Sequence, residues 1–333
     1  MADRADPRED SRADPRPDAP RMHRAAAMEP LLAAAEAGRL TPGERGRSLW
    51  SDARRRFLRN RVATLSLAVL VLVAALSLVG PMVAPWNNED VDWSVLGNVA
   101  TAGRPSLETG HWFGTDELGR DLFARTMQGT QVSLMVGIVG ALVAVVVGTL
   151  WGATAGFVGG RVDNVMMRIV DVMVAIPYMF VLILLLVVFG RSMGMIFVGI
   201  GLISWLDMAR IARGQTLSLR NQEFVEAAHA IGVPGWRIVL RHIVPNLLGV
   251  VIVYATLTVP TMIIFESFIS FLGLGVQEPL TSWGALISEG AQRLARGDAL
   301  WQLGFPLFFF VVTLFAFFFV GDGLRDALDP KDR

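Results

Sequence analysis

Two carboxylates fall within or beside long apolar stretches, where a charge is a functional candidate because lipid solvates it poorly. Asp207 has Arg210 three residues on, a spacing that allows an i,i+3 ion pair on a helix at the membrane edge. Glu266 has no basic neighbour in sequence and divides an apolar run. It either lines or gates a polar path through the bilayer, or bonds to a neighbouring helix. The remaining reactive side chains form no recognisable catalytic pattern. His23, His111, His229 and His242 are scattered, with no i,i+4 pair and no H-E-x-x-H, so a metal site is not expected. No G-x-S-x-G signature supports a nucleophilic serine. The chain has no cysteine, which excludes thiolate catalysis, disulfides and Cys-based zinc sites. Its one lysine, Lys331, lies between Pro330 and Asp332 and not in a P-loop, so this chain holds no nucleotide by a Walker A lysine. No catalytic residue is assigned.

The elements that position these residues are membrane spans. Hydrophobic residues make up 53% of the 333, charged residues only 18%, and mean hydropathy is +0.48. Net charge is zero, so no basic excess exists to neutralise nucleic-acid phosphates. A spanning helix needs about 20 mostly apolar residues. Charge-free or nearly charge-free runs predict six: near 62–84, near 132–157, between Asp171 and Arg191, from Ser192 to about Arg210, from Arg241 past Glu266 to about Leu274, and between Asp298 and Asp322. The fold class is therefore all-α and polytopic, with the lipid bilayer as solvent. Ser48–Arg61 precedes the first span as an amphipathic helix, with Leu49, Trp50, Ala53, Phe57 and Leu58 able to share one side.

Six spans place both ends on one side. The positive-inside rule puts that side in the cytoplasm, because arginines crowd 47–61, 161–168, 210–241 and the C-terminal segment. The opposite side carries fewer, and its loop 85–131 is acidic. Residues 1–47 are rich in Arg, Asp, Pro and Ala and read as a disordered cytoplasmic tail. They lack the charged-then-apolar order of a cleavable signal peptide. Residues 48–84 form the amphipathic helix and first span, 85–131 an outer loop, 132–322 a five-helix core with an inner loop at 214–246, and 323–333 a cytoplasmic tail.

Small residues mark close contacts. Gly148, Gly152, Gly156 and Gly160 recur every fourth position, which aligns them on one helix face for packing against another helix or another subunit. The inner loop is too polar to span and long for a compact protein, which marks it as functional. It is expected to form a helix over Asn221–Ala230, a break at Gly232, Pro234 and Gly235, and a second short helix to His242. Ala227 and Ala228 offer small side chains for docking, and Gly232 a backbone geometry closed to other residues.

The segment from Glu226 to Pro245 resembles the signature of permease subunits of ABC importers. Glu226, Ala227, Ala228 and Gly232 match it. His242-Ile-Val-Pro-Asn246 departs from the general pattern toward the peptide-and-nickel branch. His111–Asp121, Ser204–Gln215, and Glu266–Gln277 running on to Gly284 are similar to the same branch. Gly46–Arg56 and Gly321–Arg333 resemble its C-type oligopeptide permeases. The resemblance covers about Gly46 to Arg333. It implies the type I ABC importer permease fold, with a second homologous permease, two ABC ATPase subunits and an extracytoplasmic peptide-binding protein as partners. ATP and Mg would sit in the ATPases, with no cofactor in this chain. The inner loop would be a coupling helix, with Glu226, Ala227, Ala228, Gly232 and Pro234 at the ATPase contact, in a bacterial inner membrane. Dipeptide or nickel transport is the runner-up. A proton-coupled secondary transporter would need a relay of intramembrane carboxylates and repeated halves, and only Asp207 and Glu266 are candidates for the relay.

Overall fold

Charge-free sequence becomes long helix wherever capping residues start it and glycine or proline stops it. The computed structural model describes residues 49–297 and 299–328. Residues 1–47, expected to be a tail, lie outside the described residues, as do Asp298 and the last five residues. The chain divides into two units, Met1–Ser51 and Asp52–Arg333. Helix α1 is Leu49–Arg59 and α2 is Arg61–Val83. An outer segment with a single helical turn at Val99–Ala102 leads to α3, Leu122–Val158. Next come α4, Gly160–Ala175, α5, Tyr178–Phe189, and α6, Met193–Leu219. The inner loop holds α7, Glu223–Ala230, and runs into α8, Gly235–Phe271. Helix α9, Trp283–Leu294, precedes α10, Leu300–Leu328. Among the described residues the only β pairing is two isolated bridges in the outer segment.

Side-chain caps begin the spans. Asn60 accepts from the Ala63 amide at 3.2 Å, Asp121 from Ala124 at 2.7 Å and Ser192 from Met195 at 3.2 Å. Among the described residues five helices are long and apolar enough to cross a membrane: α2, α3, α6, α8 and α10. The third expected span differs. Helices α4 and α5 meet at a 77° bend, so this stretch is not one continuous helix. Pro177 has no amide hydrogen to donate and forces the residue before it out of the helical region, and Ile176 accordingly sits at φ −85°, ψ 126°.

The inner loop also departs from expectation. No separate second helix ends at His242, because α8 begins at Gly235 and continues unbroken through the span to Phe271. A π-turn at Val239–Ile243 lets it continue past Pro245, whose ring nitrogen cannot bond the Arg241 carbonyl. In α1, Ala53 and Phe57 pack on Ala63, Val320 and Ala327, whereas Leu58 is exposed and lies off that face.

Three of the four spaced glycines seat α3 on α6. A Cβ at Gly152 would stand 2.1 Å from the Ala209 carbonyl oxygen, one at Gly148 2.6 Å from that of Trp205, and one at Gly156 2.9 Å from that of Arg213. Gly160 does not share this role. Helix α3 ends at Val158, Gly159 and Gly160 both take positive φ, and a Cβ at Gly160 would meet nothing within 4 Å.

Candidate functional site

The inner loop is a short helix pinned on one face and free on the other. Val225 and Ala228 are buried against Ile238, Phe157 and Val233, and the His229 ring lies 6.4 Å from that of Phe157. Glu226 and Ala227 point away and are exposed. Ala228 is therefore not available for docking as the sequence suggested; it anchors the helix to the body. Beside Ala227 the exposed face carries Phe224, Ile231 and Trp236, with the Arg237 guanidinium 5.2 Å from the Trp236 ring centre.

Gly232 closes the helix. The Gly232 amide donates to the His229 carbonyl at 3.0 Å and the Val233 amide to the Ala228 carbonyl at 3.1 Å, a Schellman cap. It requires the left-handed conformation that Gly232 adopts at φ +78°. Pro234, at φ −64°, presets the turn into α8. The two Schellman bonds close the end of α7, and the packing of Val225 and Ala228 on Ile238 holds it against the base of span α8.

Asp207 and Arg210 do not pair with each other. Arg210 donates to Asp171 on α4 at 2.7 Å, and Asp207 has no ion pair or hydrogen bond among the described residues. The i,i+3 spacing is present, but the bent third stretch brings Asp171 closer to the guanidinium. Next to this pair Arg213 grips Asp163 at 2.5 and 2.7 Å. Asp207 faces a cleft between α6 and α8, capped by Tyr178 at the start of α5.

Glu266 is only 1% exposed in this chain, so it faces neither an open path nor a partner surface. Its carboxylate accepts from Ser270 at 2.6 Å, Ser133 at 3.0 Å and Ser267 at 3.4 Å. The Ser133 oxygen in turn accepts from the Trp283 amide at 3.3 Å. Glu266 therefore ties α3, α8 and the start of α9 together, and the gate reading is replaced by a packing role.

Sequence reasoning missed an outer ionic clamp. Buried Arg125 donates to Asp116 at 2.5 Å and to Glu289 at 2.7 Å, while Arg120 bridges Asp116 at 2.7 Å and Glu278 at 2.8 Å. Arg293 and Arg296 both reach Glu117. His111, stacked on Trp86 at 4.6 Å, bonds Asp121 at 2.9 Å and Asp92 at 3.4 Å. Burial pushes the Asp121 carboxyl above the ordinary range, against the hydrogen bonds from Ala124 and His111. The bond from the Ser94 hydroxyl holds Asp92 below it. The acids and arginines of 85–131 were visible as opposite charges in one loop. Their partners Glu278 and Glu289 lie more than 150 residues away, beyond any local pattern.

Residues 144–333, more than half of the chain, match the family model described as binding-protein-dependent transport system inner membrane component. The chain belongs to this family. Residues 48–98 match a second model, the N-terminal TM domain of oligopeptide transport permease C. The oligopeptide transport system permease protein OppC of Escherichia coli (strain K12) is 58% identical over 288 residues, 86% of this chain and 93% of that protein. The OppC protein of Haemophilus influenzae is 53% identical over 86% of this chain and 90% of its own length. The dipeptide transport system permease protein DppC of Bacillus subtilis is 43% identical over 86% of this chain and 87% of its own length. The fold is thus that of the type I ABC importer permeases, and the protein is a multi-pass inner-membrane component of such a transporter.

Proposed function

We propose that this permease is the C-type subunit of an ATP-driven importer of oligopeptides and forms half of its translocation pathway. The observation that carries this reading is the 58% identity to an oligopeptide permease across nearly the whole of both chains. A second homologous permease completes the pathway, two ATPase subunits dock inside and hold ATP and Mg, and an extracytoplasmic binding protein delivers peptide. The chain itself catalyses nothing. Both termini lie in the cytoplasm, a placement supported by the arginine-rich inner segments.

The exposed side of α7 is the coupling surface. Glu226, Ala227 and the apolar Phe224, Ile231 and Trp236 meet an ATPase cleft, while Gly232 and Pro234 fix the angle at which the helix is presented. Closure of the ATPases then moves α7, and with it α8, because Val225 and Ala228 of α7 pack on Ile238 of α8. Coupling of this kind needs contacts that differ between two states of the ATPase pair.

The test uses the assembled complex. Gly232→Asp should insert normally and abolish peptide uptake, with peptide-stimulated ATP hydrolysis lost in parallel. Normal uptake by a well-expressed Gly232→Asp variant would sink the coupling role. Depleting ATP while the proton gradient is kept should stop uptake; uptake that instead follows the gradient would replace the ATP-driven reading with a secondary transporter. The 43% identity to a dipeptide permease favours dipeptides as the second reading. Competition between di- and longer peptides for uptake separates the two.

A further inference from the structure

Asp207 lines a cleft between α6 and α8 together with Arg210, whose guanidinium is already paired with Asp171. Asp207 stands 14 positions into α6, about 21 Å along the helix from Met193 and about 18 Å from Leu219 at the α-helical rise. Arg210 and Arg213 follow within two turns, so Asp207 stands toward the inner end of the span. The neighbouring charges cancel one another, Arg210 with Asp171 and Arg213 with Asp163. Asp207 has no such partner among the described residues and is exposed to the cleft. A carboxylate without an ion pair beside the hydrocarbon layer is tolerated only against water, a cavity or a cation.

The cleft is suited to an organic cation. It encloses about 530 Å³ between α6 and α8, enough for several residues of extended peptide side by side with water. Tyr178, Tyr254 and Phe265 supply aromatic walls, and Ser204 and Thr258 supply hydroxyls. Ser204, one helical turn before Asp207, has its side-chain oxygen buried without a hydrogen-bond partner. Peptides of varied sequence share few chemical features, and a primary ammonium is one of them. It is charged, carries three donors and is attracted to both carboxylates and aromatic faces.

We propose that Asp207 is a specificity-determining residue of the pathway, receiving the ammonium group of peptide cargo as it passes the α6–α8 cleft. The ammonium comes either from the peptide N-terminus or from a lysine side chain. The inference rests on the peptide-importer reading above. Asp207 then favours cationic over anionic cargo and holds it only weakly, because the carboxylate stays partly hydrated.

The full transporter in proteoliposomes, supplied with its binding protein, is tested with Ala-Ala-Ala, Ala-Lys-Ala and Ala-Glu-Ala in wild type, Asp207→Asn and Asp207→Glu. The ratio of Ala-Lys-Ala to Ala-Glu-Ala uptake should fall roughly fivefold in Asp207→Asn, the size of a partly exposed ion pair, and recover in Asp207→Glu. That change marks a lysine source and leaves Ala-Ala-Ala unchanged, whereas an N-terminal source lowers all three peptides alike at an unchanged ratio, with uptake restored in Asp207→Glu. An unchanged ratio with undiminished uptake of all three, or a fall that Asp207→Glu does not restore, overturns the role of Asp207. A wild type that moves none of the three peptides overturns the cargo reading and the ammonium ligand with it. Should Asp207→Asn transport nothing, Asp207→Cys decides the matter, since it introduces the only thiol of this chain. Water-soluble thiol reagents should modify it in the assembled complex, a cationic reagent and an anionic one alike, and peptide should slow them. A thiol that stays unreactive places the position in a subunit contact and overturns the proposal.

Discussion

At the scale of single residues, the membrane-embedded acids divide by their surroundings. Glu266 has three serine hydroxyls within hydrogen-bond distance and almost no exposure, while Asp207 is exposed and has no partner among the described residues. Glutamine keeps the shape and one acceptor oxygen, and serine hydroxyls rotate to suit either group. Peptide uptake by Glu266→Gln should therefore stay within about twofold of wild type, as a lost charge-assisted bond in a still-paired site costs little. Glu266→Leu leaves the three serines unpaired and should lower stability by about 1–3 kcal/mol, read as thermal unfolding in detergent. A Glu266→Gln variant with altered cargo preference would return Glu266 to the pathway. Arg125 behaves differently, because its removal leaves buried Asp116 with Arg120 as its one remaining ion-pair partner among the described residues. Arg125→Met should cost about 3 kcal/mol, and Arg125→Lys appreciably less, since a breach in a buried ion pair is dearer than a weaker one. Equal stability of Arg125→Met and wild type would show that the outer clamp contributes nothing.

At the scale of elements, what the sequence made legible was whatever depends on neighbours in the chain. Spans α2, α3, α6, α8 and α10 follow from long runs without charge, and α7 with its Gly232 cap follows from a helix-then-glycine pattern. The bend between α4 and α5 escaped because a charge count from Asp171 to Arg191 ignores Pro177, although the residue before a proline is barred from helix. The glycine stripe shows the same limit. Its four-residue spacing continues to Gly160, but the Gly159–Gly160 pair takes positive φ and ends the helix first. The Arg210–Asp171 and Arg125–Glu289 pairs depend on tertiary placement and left no local trace. These glycines give a graded prediction. Gly152→Ala drives a methyl into the Ala209 carbonyl and should destabilise by about 1–3 kcal/mol, because two backbones must separate. Gly160→Ala meets open space and should lose only about 1–2 kcal/mol through its left-handed backbone. Thermal midpoints of the purified variants rank them; a larger loss in Gly160→Ala would contradict the close packing of α3 on α6.

At the scale of the whole molecule, the proposed orientation rests on how charge is divided between the two ends of the spans. The outer clamp and the coupling surface belong to opposite ends of the spans. An acidic, ion-paired end suits a face that receives a delivered peptide, and an arginine-rich end with exposed apolar groups on α7 suits one that receives an ATPase. Reversing the chain would put the arginine-rich end outside, against the charge bias that sets topology. The absence of cysteine from the sequence makes this directly measurable. Leu107, in the outer segment, is 84% exposed, and Ile231, at the end of α7, is 81% exposed. Neither lies in a span, so a cysteine at either site should leave the fold intact. In spheroplasts, Leu107→Cys should react with a membrane-impermeant maleimide at once. Ile231→Cys should react only after the membrane is opened, and more slowly when the ATPase subunits are present than when they are absent. The reverse pattern would invert the molecule and detach α7 from the cytoplasm. Equal labelling of Ile231→Cys with and without ATPases would leave the orientation standing and remove that end of α7 from the coupling surface, because an 81% exposed side chain in a docked interface cannot stay equally open to the reagent.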